Sequence, residues 1–183
     1  MVLGIGNPIL GDDGVGPRAV EMLREEIGDR LRRRGDADVE LKEVCSGNLG
    51  AMEELIGCDE AIIIDSISAG PAIREGEVLE LTPDALIGHG PPLNAHMADF
   101  ASSYELYRSV FKGEMPARVR IYAIAIKGDL RFSDRLSREA EDAARRVASK
   151  ISRELLGDGP DGGAIHGHRG RRSRSLEGIP IIR

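Results

Sequence analysis

Ala61-Ile62-Ile63-Ile64-Asp65 is an aliphatic, largely β-branched run with no polar residue until its last position. A half-exposed strand alternates apolar and polar side chains, whereas an unbroken run of this kind has both faces covered. Val119 to Ile126 has the same character, and Met1 to Ile5 reads as a shorter buried strand. Val39 to Cys45 alternates, with charges between its apolar positions, and suits a strand near a sheet edge; Gly76 to Leu81 is a further strand candidate. Covered strands need helices on both sides. The expected fold is a single-domain, doubly wound α/β structure, with a mostly parallel twisted sheet of about five strands.

Helical patterns fall between these runs. Val15, Ala19, Leu23 and Ile27 recur every four residues, which predicts an amphipathic helix from Gly14 to about Ile27. Asp12 or Asp13 is chemically suited to cap it, and Pro17 falls in the first turn, where its missing N–H is not needed. Asp29 to Asp38 reads as a charged connection, and Leu49 to Ile56 as a short helix behind the turn Ser46-Gly47-Asn48. Thr82 to Pro92 is rich in breakers and reads as a loop; Asn94 or Ala95 then opens a helix to about Phe111 with His96 in its first turn. Ser133 or Asp134 is expected to start the last helix, with Leu136, Ala140, Ala143, Val147, Ile151 and Leu155 on one face and Gly157 as its stop.

The domain is therefore expected to occupy residues 1–156. Residues 157–183 form a basic tail of Gly, Arg and Ser, expected to be disordered. Five arginines face three acids there, so the body is more acidic than the whole chain, whose net charge is −6. An acidic body argues against nucleic acid and suits a cation or a basic peptide. No apolar run approaches the roughly 20 residues needed to cross a bilayer. With Met1 almost on the first strand, the expectation is a cytoplasmic protein. Cys45 and Cys58 lack metal-ligand spacing and read as two free, buried thiols.

The stretch from Gly4 to Gly16 carries the chemistry. Its glycines permit a sharp turn and a close approach, and Asp12-Asp13 follows before the first helix. A dinucleotide fingerprint would need a third glycine where Ile9 stands, and the two acids would repel a pyrophosphate at the helix N-terminus. No nucleotide is therefore expected. Ligands of open α/β sheets sit beyond the carboxyl ends of the strands. On that rule Asp12, Asp13, Asp65 and His96 collect at one edge, a donor set suited to a divalent transition metal in an open site. A receiver-like phosphoacceptor arrangement of Asp12, Asp13, Asp65 and Lys127 is the alternative, although it leaves His96 without a role.

Gly4-Ile5-Gly6-Asn7, followed by Asp12-Asp13-Gly14-Val15-Gly16, closely resembles the opening of hydrogenase maturation proteases, the endopeptidases that process the large subunit of nickel–iron hydrogenases. The resemblance continues through Ser46-Gly47-Asn48-Leu49-Gly50, Ile62-Ile63-Ile64-Asp65 and the segment around His96, and covers roughly residues 1–156. It implies a cytoplasmic hydrolase that removes a C-terminal extension from the nickel-loaded large-subunit precursor. Nickel, carried in by the substrate, would be recognised by Asp13, Asp65 and His96, while Asp12 and the Gly4–Gly6–Asn7 turn would shape the pocket. Many members of the family carry glutamate where this chain has Asp13; aspartate offers the same ligand chemistry one methylene shorter. The surroundings of His96 differ from the usual histidine segment, which leaves His89 as a rival ligand. The catalytic base stays open, with Asp13 and Asp65 as candidates, and so does the oligomeric state. A non-catalytic nickel-binding maturation partner would use the same ligands.

Overall fold

The computed structural model describes residues 1–34, 39–45, 47–86, 95–128 and 131–157. His89, Asp129 and the tail beyond Gly157 lie outside the described residues, as do the side chains of residues 34, 47, 48 and 95–98.

Five strands form one sheet: β1 (Val2–Ile5), β2 (Leu41–Val44), β3 (Glu60–Ser68), β4 (Val78–Leu81) and β5 (Arg118–Ile126), in the order β2-β1-β3-β5-β4. All neighbouring pairs are parallel except β4 with β5. The chain runs from β1 to β2 on one side and then crosses back to β3 on the other. The order therefore reverses between β1 and β3, the place where open α/β sheets leave a crevice at their carboxyl edge.

Alternation along the strands divides the core into two layers. Val2, Ile62, Ile64, Tyr122, Ile124 and Ile126 pack beneath α1 (Val15–Arg34) and α5 (Arg138–Leu156). Leu3, Ile5, Ile63, Ile67, Ile121 and Ala123 pack beneath α2 (Gly47–Leu55) and α4 (Ala95–Val110). The short α3 (Pro83–Leu86) lies within the stretch expected to be a loop.

Several boundaries differ from expectation. The first helix does not stop near Ile27: Leu31, only 6% exposed, is the next member of the four-residue series and carries the helix to Arg34. Burying Leu31 offsets the cost of about 1 kcal/mol that Gly28 imposes on a helix interior. Asp12 and Asp13 do not cap α1. They lie in a 3₁₀ turn, Gly11–Gly14, that runs directly into it, and their carboxylates are engaged elsewhere. The last helix starts later than Ser133 or Asp134, because the capping hydroxyl is that of Ser137, which accepts from the Ala140 N–H at 3.2 Å. Gly157 ends it as expected, in the left-handed conformation at φ 77°. β3 continues three residues past Asp65, paired with β5 through Ser68. Cys58 is half-buried, but Cys45 is exposed rather than buried.

Candidate active site

The turn after β1 is shaped by backbone packed against backbone. A β-carbon at Gly16 would sit well inside contact distance of the carbonyl oxygens of Ile5 and Ile64, and one at Gly6 would strike that of Asp13. Gly6 also has φ 142°, a conformation that side chains disfavour. Close approach to a ligand was one reading of these glycines. In the structure they bring the start of α1 directly against β1 and β3, and this seats Asp13 at the carboxyl edge between the two strands.

Asp13 is held at both oxygens. Its Oδ2 accepts from the Asn7 backbone N–H at 2.9 Å, and its Oδ1 accepts from the Ser66 hydroxyl at 3.1 Å. Ser66 in turn donates its backbone N–H to Asp65 Oδ1 at 2.7 Å. Asp65 and Ser66 are neighbours on β3 and so project to opposite faces of the sheet: Ser66 toward α1, Asp65 toward α2 and α4. β1 is paired with β3 only as far as Gly4 with Ile64, so Asp65 falls where the two strands part.

Asp65 is 6% exposed. Burial drives its pKa up from 3.8 to about 7; the Ser66 N–H opposes the rise, and the negative charge of Asp13 adds to it. Low solvation and a neighbouring negative charge both disfavour the ionised form of this carboxyl.

Asp12, expected to shape the pocket, faces the other way. Its Oδ1 accepts from the Ser137 backbone N–H at 2.5 Å, tying the turn to the start of α5. A receiver-like cluster of Asp12, Asp13, Asp65 and Lys127 is therefore not assembled, because Asp12 is committed to the α5 terminus. Lys127 follows β5 and is exposed.

The backbone of His96 lies in the first turn of α4. That helix finishes at the amino edge of the sheet, where the Gly57 N–H bonds the Glu114 carbonyl and the Ala117 N–H bonds that of Asp59. At 1.5 Å per residue its 16 residues span about 24 Å, enough to return its first turn to the carboxyl edge. The helix packs on the face toward which Asp65 projects. Among the described residues, no group of three His, Cys, Asp or Glu side chains forms a metal cluster; the side chain of His96 and all of His89 are outside them.

Ser66 is the member that sequence reasoning missed. A serine following an acid carries no motif, and only the strand continuing through Asp65 reveals that the two residues flank the parting of β1 and β3.

No family model matches the chain, and no curated protein does. Solved structures do. The hydrogenase maturating endopeptidase HybD from E. coli aligns over 86% of this chain and 92% of its own, with a TM-score of 0.61 and 20% identity. The [NiFe] hydrogenase maturation protease HybD from Thermococcus kodakarensis aligns over 84% and 96%, with a TM-score of 0.57 and 19% identity. A hydrogenase 2 maturation peptidase from a Thaumarchaeota archaeon aligns over 85% and 96%, with a TM-score of 0.53 and 21% identity. These likenesses span nearly the whole described chain, and the protein has the fold of the hydrogenase maturation endopeptidases.

Proposed function

We infer that the protein is an endopeptidase that trims a C-terminal extension from the precursor of a nickel–iron hydrogenase large subunit. The observation that carries this reading is the Asp13–Ser66–Asp65 arrangement at the parting of β1 and β3, in a fold shared with proteins named for that activity.

The substrate's nickel is the recognition element. Asp13 and Asp65 offer hard oxygen donors of fixed direction, and His96, at the start of α4, is the imidazole that completes the set. Asp65 Oδ2 has no hydrogen bond among the described residues and is the oxygen open to a cation. With the cation docked, the scissile peptide is anchored beside the two carboxylates, where a water can be directed at its carbonyl. A precursor lacking nickel has nothing to hold it there, so cleavage waits for metal insertion. A cytoplasmic site of action belongs to the same proposal, since that is where the precursor is made.

The test is to incubate the full chain with nickel-loaded and with metal-free precursor and to measure the precursor's mass. Loss of a C-terminal peptide from the loaded form alone is the expected result. Binding without any change of mass would leave a nickel-escort partner instead, and cleavage of both forms would remove the metal from recognition.

A further inference from the structure

Five large apolar side chains are exposed among the described residues, and two of them, Ile9 at 57% and Phe132 at 86%, belong to segments joined at the rim of the candidate site. Single exposed apolar residues are ordinary. Here position gives them meaning. The Ser133 N–H donates to the Ile9 carbonyl at 3.1 Å, and the Gly11 N–H donates to that of Ser133 at 2.9 Å, so the backbones carrying Ile9 and Phe132 run side by side. Asp12 fastens the same segment again at Ser137. Inward, the Ile9 N–H donates to Asn7 Oδ1 at 3.2 Å, and Asn7 holds Asp13 through its own N–H. A continuous set of hydrogen bonds thus leads from the backbone beside Phe132 to the Asp13 carboxylate.

The chain has only three phenylalanines. Phe100 is fully buried and Phe111 is half-buried, whereas the third stands almost wholly in solvent on a segment fixed at two points. Leu49, 58% exposed in the first turn of α2, lies on the same carboxyl edge.

We propose that Ile9 and Phe132 form an apolar docking surface for the substrate polypeptide, seating an apolar side chain of the segment next to the bond brought to Asp13 and Asp65. This rests on the endopeptidase reading and adds what that reading lacks, a contact for the polypeptide itself. The occupant must offer an apolar side chain and, farther along, a group for the carboxylates. An extended polypeptide, rising about 3.3 Å per residue, does both. A second copy of this chain seated here would cover the carboxylates, and an anionic lipid surface would be repelled by Asp12 and Asp13.

The test measures affinity and turnover separately, on nickel-loaded precursor, for the wild type, Phe132→Ser, Phe132→Leu and the control Val110→Ser. Val110 is 62% exposed on the far end of α4. Phe132→Ser is expected to weaken precursor binding about tenfold or more, as loss of an aromatic anchor does, and to raise KM with little change in kcat. Phe132→Leu should keep most of the affinity, and Val110→Ser all of it. Circular dichroism confirms that each variant is folded. Equal affinity for wild type and Phe132→Ser overturns the docking surface while leaving an active endopeptidase. A wild type that neither binds nor cleaves the precursor overturns both readings. Concentration-dependent dimerisation abolished by Phe132→Ser assigns the patch to self-association and also overturns the proposal.

Discussion

Asp13 and Asp65 are joined through one intermediary: the Ser66 hydroxyl donates to Asp13 and the Ser66 backbone N–H donates to Asp65. The two carboxylates come from segments more than fifty residues apart in the chain. A single serine therefore sets their relative position, and replacing it tests that geometry.

Ser66→Ala is expected to cost about 1 kcal/mol of stability, the usual net contribution of one side-chain hydrogen bond. It should lower kcat for precursor cleavage roughly tenfold, through a misaligned carboxylate. The Asp65 contact survives, since it comes from the backbone. Single-turnover kinetics and thermal melts read the two effects separately; an unchanged kcat would show that Asp13 needs no such alignment.

The buried Asp65 carboxyl makes stability depend on pH. Its folded pKa, about 7, lies above the ordinary 3.8, so the folded state holds a proton that the unfolded chain has released. The contribution of this group to stability is full below about pH 4, falls as pH rises toward 7, and then levels off. A shift of this size corresponds to a loss on the order of 4 kcal/mol. Asp65→Asn should remove that dependence: its stability relative to wild type, measured by urea unfolding, grows between pH 4 and 7 and is constant above. Parallel curves across that range would show that Asp65 ionises freely.

Adjacent acids should give opposite phenotypes. Asp12→Ala takes a charge-assisted bond from the start of α5 and is expected to lose about 1.5–3 kcal/mol. For a chain of this size that lowers Tm by roughly 2–4 °C per kcal/mol. Once folded, the variant should cleave precursor near the normal rate. Asp13→Asn should melt close to wild type and lose cleavage by about a hundredfold or more. Assaying both well below their melting points separates a structural acid from a functional one, and the reverse pattern would exchange the roles given to the two residues here.

At Gly16 the β-carbon of an alanine would meet main-chain oxygens of both β1 and β3, neither of which has a rotamer to change. Gly16→Ala is expected to lose about 3 kcal/mol or more, at or beyond the upper end of ordinary overpacking. Gly57→Ala is the comparison: it meets nothing within 4 Å, although its φ of 84° still imposes strain. Equal melting temperatures for the two would mean that the turn after β1 can move away from the sheet.

The legible parts of this fold were those set by hydrophobic pattern. The buried strands β1, β3 and β5 and the edge character of β2 follow from aliphatic runs and alternation. Caps were harder to read. Asp12, Asp13, Ser133 and Ser137 are all residues that cap helices, and only the tertiary partners decide that Ser137 does so while Asp12 bonds a different helix. The polar pair Asp65-Ser66 looked like the end of a strand because strand interiors are normally apolar; here β3 continues because β5 pairs with it beyond the point where β1 turns away. The antiparallel run of β4 had no signature, since four residues with Glu80 among them read alike in either direction.

The bond from Asp12 to Ser137 also imposes an order in time. Its partners are 125 residues apart, and Ser133, which braces the same turn, comes almost as late. At synthesis rates of about 5–20 residues per second, the turn that carries Asp13 leaves the ribosome roughly 6–25 s before the segment that fastens it. Until then the first-made part of the site has no support on that side. A chain stopped short of α5 would have made every carboxylate of the site but not the helix that packs against α1 and closes one layer of the core, so one of the first-made parts of the domain is braced by its last helix.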